Sequence, residues 1–345
     1  MTLELPIRLI GNPGSPYTRK MVSFLRYKLI PYKIIWGDPG FILDKMEIEK
    51  PKPVLHPTFL IKKKGKKVEA VTDSTPIIRM LENLFQKRST IPSNPVLAFI
   101  NYLLEDFGDE WGTKFMFHYR WHDKQDIENA GTLLPLTSNP VVSEDALGEM
   151  KKQITDRQIG RVWVVGSNKI TAPLINASFK RFLTIMEKHL SQYPFLFGNR
   201  PSSADFSFFG QLCQLVGFDP TPRAITHNLS MRTVAWVDKT EDLSGLDPSE
   251  NDWLSPTSIP NTINLLLSEI GATYVPTMLA NEKAFKRGEE RWEAKLEGLI
   301  WTQRTFPYQV KCLNWLREEY QALTNSEQNE VNALISNTGC EALLK

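Results

Sequence analysis

Cysteine is scarce in this chain. Three residues in 345, Cys213, Cys312 and Cys340, are too few and too scattered for a disulfide framework or a zinc cluster. Charge of one sign is missing as well. Lys plus Arg number 41 against 39 Asp plus Glu, a net of +2 that leaves no basic face for nucleic acid. No apolar run approaches the ~20 residues needed to span a bilayer. Met1 to Gly11 has no basic segment, long apolar stretch or small-residue cleavage site, so no signal peptide is expected. Repeats and low-complexity tracts are absent. With 41% apolar and 23% charged residues, the chain reads as globular, cytoplasmic and longer than one ordinary core requires.

The first ninety residues alternate short β-type runs with helical patterns. Pro6–Ile10 reads as a strand that stops at the turn formers Gly11-Asn12-Pro13-Gly14. From Pro16 the apolar residues Met21, Val22, Leu25 and Leu29 fall on one helical face, with Ser15 suited to the N-cap and Pro16 to the first turn. Tyr32–Trp36 is a second strand, which makes a β-α-β unit with parallel strands. His56-Pro57 precedes a hairpin of Thr58–Ile61 and Val68–Val71, whose lysine-rich turn around Gly65 reads as a solvated tip. Thr72-Asp73-Ser74-Thr75-Pro76 then opens a helix that buries Ile77, Ile78, Leu81, Leu84 and Phe85.

This order, with Ser15-Pro16-Tyr17-Thr18 at the first helix, His56-Pro57 before the third strand and Asp73-Ser74 at the third helix, resembles the thioredoxin-like domain of the glutathione S-transferases. Farther on, Phe195-Leu196-Phe197-Gly198 and Arg200-Pro201-Ser202-Ser203-Ala204-Asp205-Phe206 look like the helix-start motif of that family's all-helical domain. Ser202 and Asp205 have capping-box spacing. Ala235-Trp236-Val237 is similar to the closing helix of that domain. The resemblance covers about 1–90 and 173–241. The expected architecture is an α/β thioredoxin-like domain (βαβ-ββα) over 1–88 and an all-α domain over 93–243, with an insertion at about 124–172. An extension over 244–345, containing an α/β-hairpin, is expected to dock on the helical domain.

The resemblance implies glutathione as co-substrate, a small hydrophobic electrophile as its partner, and a homodimer. Lowering a thiol pKa of ≈ 8.5 by ~2 units takes ~2.7 kcal/mol of preferential anion stabilisation. One hydrogen bond to a charged acceptor gives ~1.5–3 kcal/mol and a helix N-terminus ~0.3–1. A hydroxyl at Ser15 can therefore supply the amount as a donor to the thiolate, although a plain N-cap is its other role. With neither 15 nor 18 a cysteine, thiol–disulfide exchange through this motif is excluded. The resemblance further implies a cis Pro57, with the backbone of His56 pairing to the cysteinyl part of glutathione. It assigns Asp73 to the α-ammonium, Ser74 to the α-carboxylate and Lys52 to the glycyl carboxylate. His56 stands where most relatives carry an aliphatic residue.

A long helix is predicted from Ser93-Asn94-Pro95 to about residue 122, with Trp111, Phe115, His118 and His122 on one face, flanked by Tyr119 and Trp121. These side chains, with Tyr17, are candidates for an electrophile pocket, or else for interdomain core. His118 and His122, with Asp109 or Asp123, also suggest a metal site, but the H-E-x-x-H context is missing and no metal is expected. A helix is predicted over Glu144–Val165 and another around Ile263–Leu279. A hairpin turning at Glu297-Gly298 and an amphipathic helix after Pro307 should follow. Cys312 is expected to be buried and Cys340 exposed. Peroxide reduction, dehalogenation and ether cleavage are alternative uses of the same thiolate, and a ligand-binding or scaffold protein without turnover is the alternative from another class.

Overall fold

The structure, a computed structural model, describes residues 3–345. Strand β1 (Ile7–Gly11), helix α1 (Pro16–Tyr27) and strand β2 (Tyr32–Trp36) form the βαβ unit, followed by a short α2 (Pro39–Lys45). Strands β3 (Thr58–Lys62) and β4 (Val68–Val71) and helix α3 (Ser74–Leu84) complete the domain. The sheet order is β2-β1-β3-β4, with β1 and β2 parallel and the other pairs antiparallel. The registers Ile10↔Thr58 and Phe59↔Val71 bring the end of β1, the start of β3 and the end of β4 to one end of the sheet. Local signals explain the element starts: Ser15, Asp38 and Asn94 each accept a backbone N–H at the head of a helix whose first residue is proline.

The helical part runs through α4 (Pro95–Glu110), α5 (Gly112–His122), α6 (Lys124–Ser138) and α7 (Glu144–Ile159). Then come α8 (Ala172–Leu190), α9 (Ser203–Gly217), α10 (Pro220–Leu229) and α11 (Met231–Thr240). Two predicted helices are shorter than their sequence patterns. The one expected from Pro95 to 122 breaks at Trp111, where Lys114 N–H bonds back three residues to Trp111 C=O instead of four. Gly108 and Gly112 flank the break and lie against Ser207, Phe208 and Gln211 of α9, a closeness that a Cβ would obstruct. The helix from Glu144 stops at Ile159, and Val162–Val165 form a separate 3₁₀ turn ended by Gly166 at φ 72°.

The final hundred residues hold α12 (Asn261–Glu269), α13 (Val275–Arg287), strands β5 (Arg291–Leu296) and β6 (Leu299–Arg304), α14 (Pro307–Gln321) and α15 (Asn325–Ile335). The hairpin turns at Glu297 (φ 48°) and Gly298 (φ 86°), the left-handed pair that suits the twist of two antiparallel strands. Trp292, Leu296, Trp301, Leu313, Leu316, Val331 and Ile335 join the same core as α4, α5, α8 and α9. Both α14 and α15 pack on α4, a helix buried around nearly its whole circumference. Cys340, expected on the surface, is buried with its Sγ 3.1 Å from Leu267 C=O, because the chain end folds back under α12. No described helix is long and apolar enough to cross a membrane.

Between α12 and α13 the chain makes a π-helical turn, Ile270–Tyr274, and Gly271 there meets the backbone of Thr338-Gly339. A Cβ on Gly271 would lie 1.8 Å from Thr338 C=O. Gly271→Ala is therefore expected to lower unfolding stability by about 1–3 kcal/mol, the usual cost of overpacking. Urea titration of wild type and variant measures it; an unchanged midpoint would show that the chain end is not held against this turn.

Candidate functional site

The sheet end described above gathers the three predicted glutathione motifs. Ser15, half-buried, caps α1 and accepts from Thr18 N–H at 3.3 Å, which leaves its own proton free to donate elsewhere. The His56–Pro57 peptide is cis. His56 Nδ1 is buried without a hydrogen-bond partner among the described residues, and burial lowers the imidazole pKa despite nearby Asp38. Asp73 has φ 83° and ψ 109°, a conformation that turns the chain sharply from β4 into α3. Ser74 Oγ accepts from Lys20 Nζ at 3.2 Å. Lys52 is exposed on the loop before Pro57 and forms no ion pair among the described residues.

Beneath these residues lies an ion cluster that the sequence reading missed. Lys20 Nζ, from α1, is 2.9 Å from Glu105 Oε1 and 2.6 Å from Asp109 Oδ2 of α4, and all three side chains are buried. Ser203 Oγ donates to Glu105 and Ser207 Oγ to Asp109 from α9, while Thr75 Oγ1 donates to Glu105 from α3. Burial works against the Glu105 charge, yet Lys20 and Arg79 hold it down to about 2. Burial raises Asp109 to about 6 against the pull of Lys20. The helical spacing of Glu105 and Asp109, i and i+4, is visible in the sequence, but nothing local to it points to a buried lysine on another helix.

The loop that carries Ser15 is fastened from the helical side. Arg120, buried on α5, donates to Gly14 C=O at 2.7 Å while its Nε bonds both oxygens of Asp219 at 3.0 Å. Gln214 Nε2 donates to Pro13 C=O at 3.1 Å. Tyr17 OH donates to Asp109 C=O at 2.8 Å, so this candidate pocket residue is a tie between domains. The other aromatic candidates are corrected too. Trp111, Phe115, His118 and Tyr119 are 0–2% exposed within the helical core, and no surface remains for a co-substrate. Their face looks inward because the extension's Trp301 packs on Trp111 and Phe179 on Phe115 and Tyr119. His122 is exposed, and His118 Nδ1 pairs with Ser167 Oγ at 2.7 Å. Among the described residues no three His, Cys, Asp or Glu side chains converge on a metal-sized point.

The extension reaches the same sheet end. Tyr308 OH, from α14, donates to Asp73 Oδ2 at 3.0 Å. Burial raises the Asp73 pKa, opposed by that bond and by Lys311. Alongside, Tyr274 OH donates to Asp106 Oδ2 at 2.6 Å and Gln309 Nε2 to Glu110 Oε2 at 3.2 Å. Both carboxyls keep some accessible surface but are ringed by protein; burial pushes Asp106 up to about 7 and Glu110 to about 8.

Residues 9–89 match the family described as "Glutathione S-transferase, N-terminal domain" and residues 153–244 the one described as "Glutathione S-transferase, C-terminal domain". Together they span half of the chain. The chain belongs to the glutathione S-transferase superfamily. No curated protein matches it. Among solved structures, it is similar to a GST-like protein from Pseudomonas syringae at 16% identity and a TM-score of 0.42, with 68% of this chain and 66% of that one covered. It thus spans just under two thirds of that relative's length. A glutathione S-transferase from Rhodospirillum rubrum is 15% identical, with a TM-score of 0.42 and coverage of 75% and 99%. A glutathione transferase family member from Pseudomonas fluorescens, solved with two glutathione bound, is 17% identical, with a TM-score of 0.39 and coverage of 68% and 87%.

Two predictions follow from this superfamily member's buried charges. Lys20→Met strands two carboxylates in a dry interface and should lower stability by about 3–5 kcal/mol; chemical denaturation reads the loss, and a drop below about 1 kcal/mol would mean the cluster is solvated. The second concerns pH. Asp106 and Glu110 hold protons in the folded state at pH values where the unfolded chain has released them. Native protein then binds more protons than unfolded protein, and stability falls as pH rises through their folded values. Between pH 7 and 8, above the ordinary value of about 6.5 at which the unfolded chain's histidines titrate, unfolding free energy should decline by up to about 1.4 kcal/mol per pH unit for each retained proton. The double variant Asp106→Asn, Glu110→Gln should flatten the decline; the same slope in both proteins would assign it elsewhere.

Proposed function

We propose that this chain is a glutathione transferase in which the Ser15 hydroxyl stabilises the thiolate of glutathione for attack on a small hydrophobic electrophile. The observation that carries the reading is the meeting of Ser15, the cis His56–Pro57 peptide and the Asp73-Ser74 turn at one sheet end, which the registers of β1, β3 and β4 enforce. In this reading the His56 backbone pairs with the cysteinyl part of the tripeptide. Ser74 donates to its α-carboxylate at the head of α3, Asp73 accepts from its α-ammonium, and Lys52 meets the glycyl carboxylate. Ser15 acts as a hydrogen-bond donor, since serine is no base at neutral pH. Activity as a cytoplasmic homodimer belongs to the same reading. With the aromatic face of α5 buried, the electrophile must be met by other surfaces.

A second reading, a ligand-binding or scaffold protein without turnover, is favoured by Tyr308, whose hydroxyl already donates to the Asp73 carboxylate that the α-ammonium of glutathione would use.

Calorimetry with glutathione separates the two readings. Wild type should bind in the micromolar-to-millimolar range and Ser74→Ala at least tenfold more weakly. Ser15→Ala should keep binding within about threefold but lose the thiolate absorbance of the bound tripeptide near neutral pH. Absence of binding by folded wild type would sink the transferase reading and favour the second; binding with no thiolate signal in wild type would overturn the role given to Ser15.

A further inference from the structure

The extension hairpin and the turn before α8 form an open cavity of about 410 Å³. That volume lies within the range of small-molecule sites. Seven side chains line it: Trp163, Ser167, Asn168, Arg291, Thr302, Gln303 and Arg304. Most of its polar groups are already committed. Ser167 Oγ is paired with His118, Asn168 Oδ1 accepts the backbone N–H of Ile170 and Thr171, and Gln303 accepts from Trp301 and Lys114 while its amide donates to Val164 C=O.

The N–H donors of the two guanidinium groups are not committed. Arg291 and Arg304 stand directly opposite each other in the β5–β6 register. Counting back from the two-residue turn, they form a non-hydrogen-bonded pair, the kind in which facing side chains come closest. Like charges so placed destabilise a hairpin. Among the described residues neither guanidinium forms a hydrogen bond or an ion pair. Glu293, two residues along on the same face, pairs with neither and accepts from Thr302. The Arg304 guanidinium lies 4.3 Å from the ring centre of Trp163, whose indole is 45% exposed. The cavity therefore presents unused guanidinium donors beside a partly exposed indole.

We propose that this cavity binds a small organic anion, with a carboxylate or phosphate head held between Arg291 and Arg304 and a planar apolar body laid on Trp163. The forked donors of two arginines suit such a head. The ligand also removes the repulsion that the empty hairpin sustains. This site is independent of the glutathione reading, since it shares no residue with the sheet end.

The test is calorimetry on the full chain with phenyl phosphate, benzoate, inorganic phosphate and phenol as probes. Phenyl phosphate or benzoate should bind saturably, and whichever is tighter identifies the head group. Arg291→Gln and Arg304→Gln should each weaken that binding at least tenfold. Trp163→Ala should reduce it to the affinity of inorganic phosphate, and Ser74→Ala should leave it unchanged. Phenol should not bind. Thermal melting in low salt provides a readout that needs no ligand: Arg291→Gln should melt higher than wild type because the facing like charge is gone, which also establishes that the variant folds. Failure of both aromatic anions to bind wild type, equal affinity in the arginine variants, or loss of binding in Ser74→Ala would each overturn the proposal.

Discussion

The Lys20 ammonium sits where α1, α3, α4 and α9 converge, and the relation between the two halves of the molecule depends on it. An ammonium and two carboxylates out of water are costly unless every lone pair and proton is used. Here the use is nearly complete: Ser74, Thr75, Ser203 and Ser207 bond the same three charged groups. The side chains come from four helices, so the cluster is satisfied only when those helices are in register. It thereby fixes where Ser74, at the head of α3, stands relative to α1. Tyr17 and Arg120 add two more ties, and the loop bearing Ser15 is held from the helical side rather than by its own turn.

Much of the N-terminal half could be read directly from residue order. Strand and helix alternation, a proline after the N-caps Ser15 and Asn94 and the Asp73-Ser74 turn are local signals, and local signals survive folding because few alternatives compete with them. The hairpin at Glu297-Gly298 is legible for the same reason. The aromatic stripe of α5 was ambiguous because periodicity marks a buried face without saying what buries it. Its partner, Trp301, lies 190 residues away on a hairpin whose docking no local pattern encodes. The acidic stretch Glu105–Glu110 hides its burial for the same kind of reason. Charges spaced four apart usually face water, and here Lys20 on a different element makes an interior position tolerable.

The extension changes what α4 is. A helix that would otherwise show one side to solvent is enclosed by α14 and α15, and its apolar residues become central instead of peripheral. The same segment brings Tyr308 to Asp73 and the hairpin to Trp163. One hundred residues appended to a two-domain plan therefore touch both the sheet end and a separate cavity. The family description matching residues 153–244 ends where this segment begins.

All three cysteines are buried, and burial raises each thiol above its ordinary value. A mixed disulfide forms only when a thiolate can reach the opposing sulfur. Protonated and enclosed, Cys213, Cys312 and Cys340 are poor participants in that exchange while the fold is intact. This member of the glutathione S-transferase superfamily thus presents no reactive sulfur of its own, and a small disulfide would find nothing on the native surface to cap. Thiol reactivity then becomes a signal of opening: any cysteine that labels reports that part of the core has come apart.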